Sequence, residues 1–370
     1  MRGSGVKLSI GKEALLGAVS TVAEATPKRS SNPALEHVRL QAANGALTLS
    51  GGDGTVSALV TVPCDVASPG EVAILATDLQ RIASAIPDGN VDLREENLST
   101  HITGSGKVRF TCHGIHPGEM PNLGTFPSEG VEVASELLLA ALASVKHAAN
   151  TGADRAHLCG IRCRILGGEF EAIAVTGHTG AVYHREVDVD APAFDVFIPT
   201  RAFALIHGVC SSNEKVKLHD DGACLFVSTP SESHKYSLPP NALPWSIASV
   251  IADTPAKSVA VNPDELAAAI RMVSVVREEQ GESKKGILEP LMLTVSNGSL
   301  GVEFRRAHTS VDCSGDVGKK ATQIYVEAKY LLEALRVCSG ETLFHFGDPT
   351  RDYLELRSGN VRAIVLPMRV

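Results

Sequence analysis

The residues best suited to chemistry are few, and their spacing argues against it. Thr103-Gly104-Ser105-Gly106-Lys107 has the glycine and lysine content of a phosphate-cradling loop. It lacks the G-x4-G-K-[ST] spacing, because Val108 follows the lysine, and a strand-like run stands where a phosphate loop opens a helix. His113 and His116 lie in a Pro/Gly loop with no third ligand. No G-x-S-x-G, H-E-x-x-H or kinase set occurs. The eight cysteines stand singly at 64, 112, 159, 163, 210, 224, 313 and 338, with no C-x-x-C. Strand residues, not a zinc-knuckle pattern, flank Cys159 and Cys163. They read as free, buried thiols of a reducing cytoplasm. No catalysis, metal or cofactor is expected.

Composition sets wider bounds. A chain of 370 residues is long for one domain and suggests two or three. With 44% hydrophobic and 21% charged residues it reads as a soluble globular protein. No run of 18 apolar residues offers a membrane span, and Met1-Arg2-Gly3-Ser4-Gly5 lacks a signal-peptide core. The net charge of −8 argues against a general nucleic-acid coat, although a basic stripe is compatible with it. Aromatics at 4% are too sparse for the stacking platforms of a single-strand binder.

The elements that would position any site repeat three times. Val6–Ile10 leads into Lys12–Leu16, Val131–Val133 into Ser135–Leu138, and Val259–Val261 into Asn262–Leu266, each a strand followed by an amphipathic helix. Asn262 and Pro263 form a cap and first-turn signature. Leu15, Val19 and Val22 match Leu138, Leu142 and Val145, then Leu266, Ile270 and Val273. Each trio has the i, i+4, i+7 spacing of one helix face. A second strand-helix unit keeps the offsets, with Ile74, Phe197 and Tyr325 in the strands and Ile86, Val209 and Val337 at the helix ends. Asn44-Gly45, Gly167-Gly168 and Asn297-Gly298 are hairpin signals in corresponding places. The third is displaced by two residues, and the polar run 277–285 accommodates the extra length. Three α+β domains are expected, at 1–128, 129–253 and 254–370, each with two helices and a long antiparallel sheet. The junctions fall at Gly124–Gly130 and Ala252–Lys257.

Six helices per chain set a size. With axes ~8–10 Å apart, six helices lining a ring leave a hole of ~7 Å, and twelve leave ~24 Å. Only the second admits duplex DNA, so a ring of this kind requires a homodimer closed head-to-tail between first and third domains. The candidate inner helices carry Lys12, Arg81, Lys146, Arg201, Arg271, Lys329 and Arg336, and Lys28 and Arg29 follow the first helix. Ordinary exposed helices carry such cations too.

The chain resembles the bacterial DNA polymerase III beta subunit, the sliding clamp, over essentially its whole length. The similarity is carried by Leu8-Ser9-Ile10-Gly11-Lys12-Glu13-Ala14-Leu15-Leu16, by Lys28-Arg29-Ser30-Ser31-Asn32-Pro33 and most specifically by Ile364-Val365-Leu366-Pro367-Met368-Arg369-Val370. The resemblance implies a non-enzymatic, cytoplasmic processivity factor of replication. Its homodimeric ring would encircle double-stranded DNA without sequence preference, through the cations above and Arg155. It would tether DNA polymerase, clamp loader and repair proteins by short peptides, with no membrane role. The implied peptide pocket comprises Leu158, Val175, Gly177, His178, Thr179, Gly180, Pro244, Ile364, Val365, Leu366, Pro367, Met368 and Arg369. The implied dimer seam comprises Phe110 and Cys112 against Val275 and Val276. Gly177-His178-Thr179-Gly180 departs from the family's Gly-His-Arg-Leu, losing a cation and an apolar wall. Val175-Thr176 and Trp245-Ser246-Ile247 depart as well. The alternative is a clamp-fold interaction scaffold, or a secondary clamp with altered partners.

Overall fold

A computed structural model of the chain describes residues 5–105, 108–244, 255–275, 290–318 and 320–369. The described residues fall into two compact units, Met1–Val133 with Lys215–Leu238, and Ala134–Glu214 with Pro239–Val370.

The first unit opens with β1 (Lys7–Gly11) and α1 (Lys12–Ala25). It continues through β2 (His37–Ala43), β3 (Ala46–Gly52), β4 (Val56–Pro63), β5 (Asp65–Ser68), β6 (Gly70–Leu75) and α2 (Ala76–Ala85), then β7 (Asn90–Glu96), β8 (Ser99–Thr103) and β9 (Arg109–Ile115). With β10 (Val131–Ala134), β15 (Lys215–Asp220), β16 (Cys224–Ser228) and β17 (Glu232–Ser237) these strands form a 13-stranded sheet ordered β10-β15-β16-β17-β4-β3-β2-β6-β9-β8-β7-β1-β5. Leu15, Val19 and Val22 of α1 are at most 1% exposed, as their spacing predicts, and pack with Leu47, Leu49 and Ile74 in one core.

The second unit holds α3 (Ser135–Val145), β11 (Gly160–Leu166), β12 (Glu169–Val175), β13 (Thr179–Glu186), β14 (Phe194–Pro199) and α4 (Phe203–Ser212). It continues with β18 (Lys257–Val261), α5 (Pro263–Val273), β19 (Leu291–Ser296), β20 (Ser299–Phe304), β21 (Ala307–Ser314), β22 (Thr322–Val326) and α6 (Ala328–Leu335). The strands β23 (Thr342–Phe346), β24 (Leu354–Ser358) and β25 (Val361–Val365) complete it. Its sheet runs β14-β11-β12-β13-β25-β24-β23-β18-β21-β20-β19-β22. The second and third apolar trios are buried like the first. Helices pack in the pairs α1 with α2, α3 with α4, and α5 with α6. The Asn262 side chain accepts from the amides of Asp264 and Glu265, capping α5 with Pro263 in its first turn.

Local chemistry departs from the simple repeat in places. Asn44 and Gly45 both take positive φ (52° and 75°), as do Gly167 and Gly168, so two hairpins turn as their sequences predict. At Asn297-Gly298 only the glycine does. The Asn297 side chain instead accepts from the Val317 amide at 2.9 Å, tying the turn to a neighbouring loop. In the second strand-helix unit Tyr325 and Val337 are only partly buried, unlike Ile74 and Phe197. Run 277–285 and residues 252–254 of the second junction lie outside the described residues.

The phosphate-loop look-alike begins at Thr103, the last residue of β8. Gly104 donates to the Val108 carbonyl at 3.0 Å, while Gly106 and Lys107 lie outside the described residues. His116 caps the short 3-10 turn at Pro117–Glu119 by accepting from the Gly118 amide. All eight cysteines are free, four buried and four half-buried. Burial pushes the Cys338 thiol up to about 12. Among the described residues no group of three or more His, Cys, Asp or Glu gathers in a metal-holding cluster. No described helix is long and apolar enough to cross a membrane.

One buried charge secures the last strands. Glu355 in β24 is fully buried and binds Arg357 beside it and Arg362 across in β25, the latter through Nε at 2.7 Å. Burial alone would raise this carboxyl, but hydrogen bonds and charge from Arg362 and Arg357 hold it below its ordinary 4.5. His345 faces Glu355 across the β23–β24 ladder, and burial lowers its pKa below 6.5. Both folded values lie below the unfolded ones, so both groups stabilise at neutral pH and lose that contribution as the pH falls. Chemical denaturation is expected to show stability falling below pH 6.5, where the unfolded chain takes up protons that the buried His345 and His147 resist, and falling further below 4.5. Glu355→Gln is expected to lessen the drop below 4.5, with Asp88 still contributing to it, and to cost about 2 kcal/mol at neutral pH, less than a fully buried pair because both guanidinium groups reach solvent.

Candidate functional site

The implied pocket residues all fall in the second unit, and four connections gather them. The first is the antiparallel pairing of β13 with β25, which sets Thr179 opposite Val365 and Gly180 opposite Ile364. It continues past the strands, where the Leu366 amide donates to the His178 carbonyl at 2.9 Å. The second ties the tail to β22, as the Met368 amide donates to the Tyr325 carbonyl at 2.7 Å. The third is a ring stack. His178 lies on Tyr330 of α6 with centroids 5.4 Å apart and planes 12° from parallel. The fourth links Leu158 to Pro244 through their neighbours, the Leu243 amide donating to the His157 carbonyl at 2.9 Å.

The turn between β12 and β13 shows why these residue types stand there. The Thr176 hydroxyl accepts from the amides of His178 (3.1 Å) and Thr179 (2.9 Å) and meets the Thr179 hydroxyl at 2.9 Å. Thr179 is therefore buried and internally bonded. A Cβ on Gly177 would meet the Arg155 guanidinium, so a larger residue there would make that exposed, flexible group shift. A Cβ on the buried Gly180 would meet Val175 at 3.5 Å and Ile364 at 3.7 Å, ordinary contacts that a methyl group can make. Leu158, Val175, Ile364 and Val365 are buried, Pro367 and Met368 half-buried, and Leu366, His178, Pro244 and Arg369 exposed. The exposed apolar groups are the ones able to take an anchor from outside.

The implied DNA contacts divide differently. Lys28, Arg29, Arg81, Lys146, Arg201, Arg271, Lys329 and Arg336 are exposed on or beside helices. Lys12 is half-buried and paired with Asp88 at 2.8 Å, so its charge is partly spent within the first unit. The same pair holds the Asp88 carboxyl below its usual range. Beside Lys146, burial lowers His147 to about 4, leaving the lysine as the charge there at neutral pH. Arg155, assigned to DNA by resemblance, rests against Gly177 at the implied pocket.

Of the implied seam, Phe110 is half-buried on β9 beside Ile102. Cys112 is 5% exposed and belongs to the first unit's core, so its thiol has no surface to offer. Val275 is 74% exposed and Met272, one turn earlier, 66%. Val276 lies outside the described residues, as do Trp245, Ser246, Ile247 and Val370. Sequence reading missed Met272, Tyr325 and Tyr330. Met272 was legible as an apolar residue off the buried face of its helix, whereas the tyrosines join the site only through the fold.

Comparison with known proteins places this arrangement. The family model for the N-terminal domain of the DNA polymerase III beta subunit matches residues 6–124. The beta sliding clamp of Bacillus subtilis (strain 168) is 22% identical over 387 residues, covering 98% of this chain and 100% of that protein. That of Caulobacter vibrioides is 24% identical, covering 99% and 100%. Among solved structures, the Caulobacter crescentus beta sliding clamp superposes with a TM-score of 0.87 at 22% identity, over 99% of this chain and 100% of that one. The Pseudomonas aeruginosa DNA polymerase III subunit beta does so with 0.87 at 21%, over 98% and 100%. The fold is therefore that of the sliding clamps. Residues 6–124 match the N-terminal domain of the DNA polymerase III beta subunit, and the chain is similar over its whole length to bacterial beta sliding clamps.

The His178–Tyr330 stack makes a direct prediction. Parallel rings at this distance are worth about 1 kcal/mol beyond burial. Tyr330→Ala is expected to move the His178 ring-proton NMR signals downfield as the shielding ring is lost. Unchanged signals would place the two rings apart in solution.

Proposed function

We propose that this chain is a DNA polymerase processivity factor, half of a homodimeric ring that encircles duplex DNA and slides on it. It performs no catalysis and acts in the cytoplasm. The observation that carries this reading is the threefold paired-helix repeat, whose exposed positions bear Lys28, Arg29, Arg81, Lys146, Arg201, Arg271, Lys329 and Arg336. Three domains, 1–128, 129–253 and 254–370, each contribute one helix pair. Contacts to phosphates alone give weak, sequence-indifferent binding that salt weakens steeply. A topological link supplies the retention such contacts lack. The seam closes head-to-tail, Phe110 of one copy against Met272, Val275 and Val276 of the other. The exposed apolar side chains of Met272 and Val275 support this assignment, and Cys112 is left out of it because it is buried.

DNA polymerase, clamp loader and repair proteins dock through short peptides on Leu158, Val175, Gly177, His178, Thr179, Gly180, Pro244 and Ile364–Arg369. Met368 is half-buried and unbranched, suited to adapting to several anchors. Arg155 serves this site rather than the duplex.

Retention on DNA tests the ring. Loaded wild-type protein is expected to stay on circular duplex and to run off linear duplex. Phe110→Asp, which puts an unpaired charge into an apolar contact, is expected to sediment as monomer and to be retained on neither. Equal retention on both forms by wild type would remove the topological mechanism.

Peptide titration tests the pocket. Burying one Leu-sized anchor stabilises by roughly 1.5–3 kcal/mol, so two anchors reach about micromolar affinity after ordering costs. Met368→Ala is expected to weaken an apolar-anchored clamp-binding peptide. Gly180→Leu is expected to tighten it by restoring a wall. Affinity unmoved by either would put the site elsewhere and favour a clamp-fold scaffold.

A further inference from the structure

The segment that carries Pro244 is held by one side chain. Arg162 of β11 donates from Nε to Asp195 Oδ1 at 2.7 Å and from Nη2 to Asp195 Oδ2 at 3.0 Å, a two-point pair with β14. Its third nitrogen, Nη1, donates to the carbonyls of Ala242 at 3.2 Å and Leu243 at 3.1 Å. The Leu243 amide is bound to the His157 carbonyl, and its side chain is 1% exposed. Residues 242–243 are thus held on both sides, and the residues next to the holding points are Pro244 and Leu158. All three guanidinium nitrogens are used, in a planar fork that a lysine ammonium does not reproduce.

The internal repeat supplies a counterpart. Arg39 precedes Arg162 by 123 residues, and Pro121 precedes Pro244 by the same interval. Arg39 pairs with Glu71 as Arg162 pairs with Asp195, and the ladders set Arg39 opposite Ala73 and Arg162 opposite Phe197. The ion pair therefore belongs to both repeats. The described hydrogen bonds of Arg39 go to Glu71, whereas Arg162 also holds the two carbonyls. This added use occurs where the repeat borders the peptide site.

We propose that Arg162 is a positioning residue for partner peptides. It holds 242–243 so that Pro244 and Leu158 wall the slot, and it sets affinity without touching the peptide. The role rests on the peptide site proposed above.

The test is titration of a labelled, apolar-anchored clamp-binding peptide against wild type, Arg162→Ala, Arg162→Lys, Arg39→Ala and Met368→Ala, with and without excess methylguanidinium. Losing hydrogen bonds from a charged donor is expected to weaken the Arg162→Ala complex about tenfold. Arg162→Lys is expected to be as weak, since charge alone does not hold the segment. Methylguanidinium is expected to restore most of the affinity to Arg162→Ala. Arg39→Ala, which loses the equivalent ion pair away from the site, is expected to bind as wild type does. Full affinity in Arg162→Ala, a loss that methylguanidinium does not reverse, or an equal loss in Arg39→Ala overturns the role. If Met368→Ala weakens binding and Arg162→Ala does not, only the role of Arg162 falls. If wild type takes no peptide, the site and this role fall together.

Discussion

Five residues of β13 lie antiparallel to five of β25, and the organisation of the second unit follows from that ladder. β13 belongs to the second sequence repeat and β25 closes the third, so the pairing makes one sheet out of strands far apart in the chain. Side chains alternate across a strand, and a slip by one residue would turn Val365 out of the core and Ile364 away from Gly180. Glu355 guards the register from the other side: it lies opposite Ile364, and its buried carboxylate is compensated by Arg362, two residues along β25, together with Arg357. With the register set, the chain leaves β25 beside His178, and Leu366 to Met368 follow a prescribed course to β22.

The first unit contains the same joint in another setting. β17 pairs with β4 through Glu232↔Val60 to Tyr236↔Val56, at positions the repeat makes equivalent to β25 and β13. There Gly51 and Gly52 are packed closely against Thr26 and Ser57, with no room for a Cβ. At Gly180 in the second unit there is room for one. Two joints of common plan have thus diverged, one sealed by small residues in close contact and the other bordered by exposed apolar groups and an exposed histidine.

Charge follows a similar division of labour. The chain is acidic overall, yet Lys28, Arg29, Arg81, Lys146, Arg201, Arg271, Lys329 and Arg336 stand exposed on or beside helices. Arg162, Arg357 and Arg362 are committed to carboxylates within the sheets. Net charge reports solubility and long-range attraction, whereas the placement of individual cations decides what is contacted.

The sequence by itself determined the helices, their buried faces, two of the three hairpins and the threefold plan, because periodicity and turn chemistry act over a few residues. The carboxy-terminal run and Gly177-His178 could also be read, since a motif remains visible without its surroundings. What only the tertiary structure decided was the company each residue keeps. Lys12 proved to be paired with Asp88, Cys112 to lie in the core, Arg155 to rest on Gly177, and Tyr330 to lie under His178. Those partners are separated by 22 to 152 residues in the chain. No local pattern encodes such a meeting, because it is settled by strand register and by which faces remain uncovered once the apolar ones have been buried.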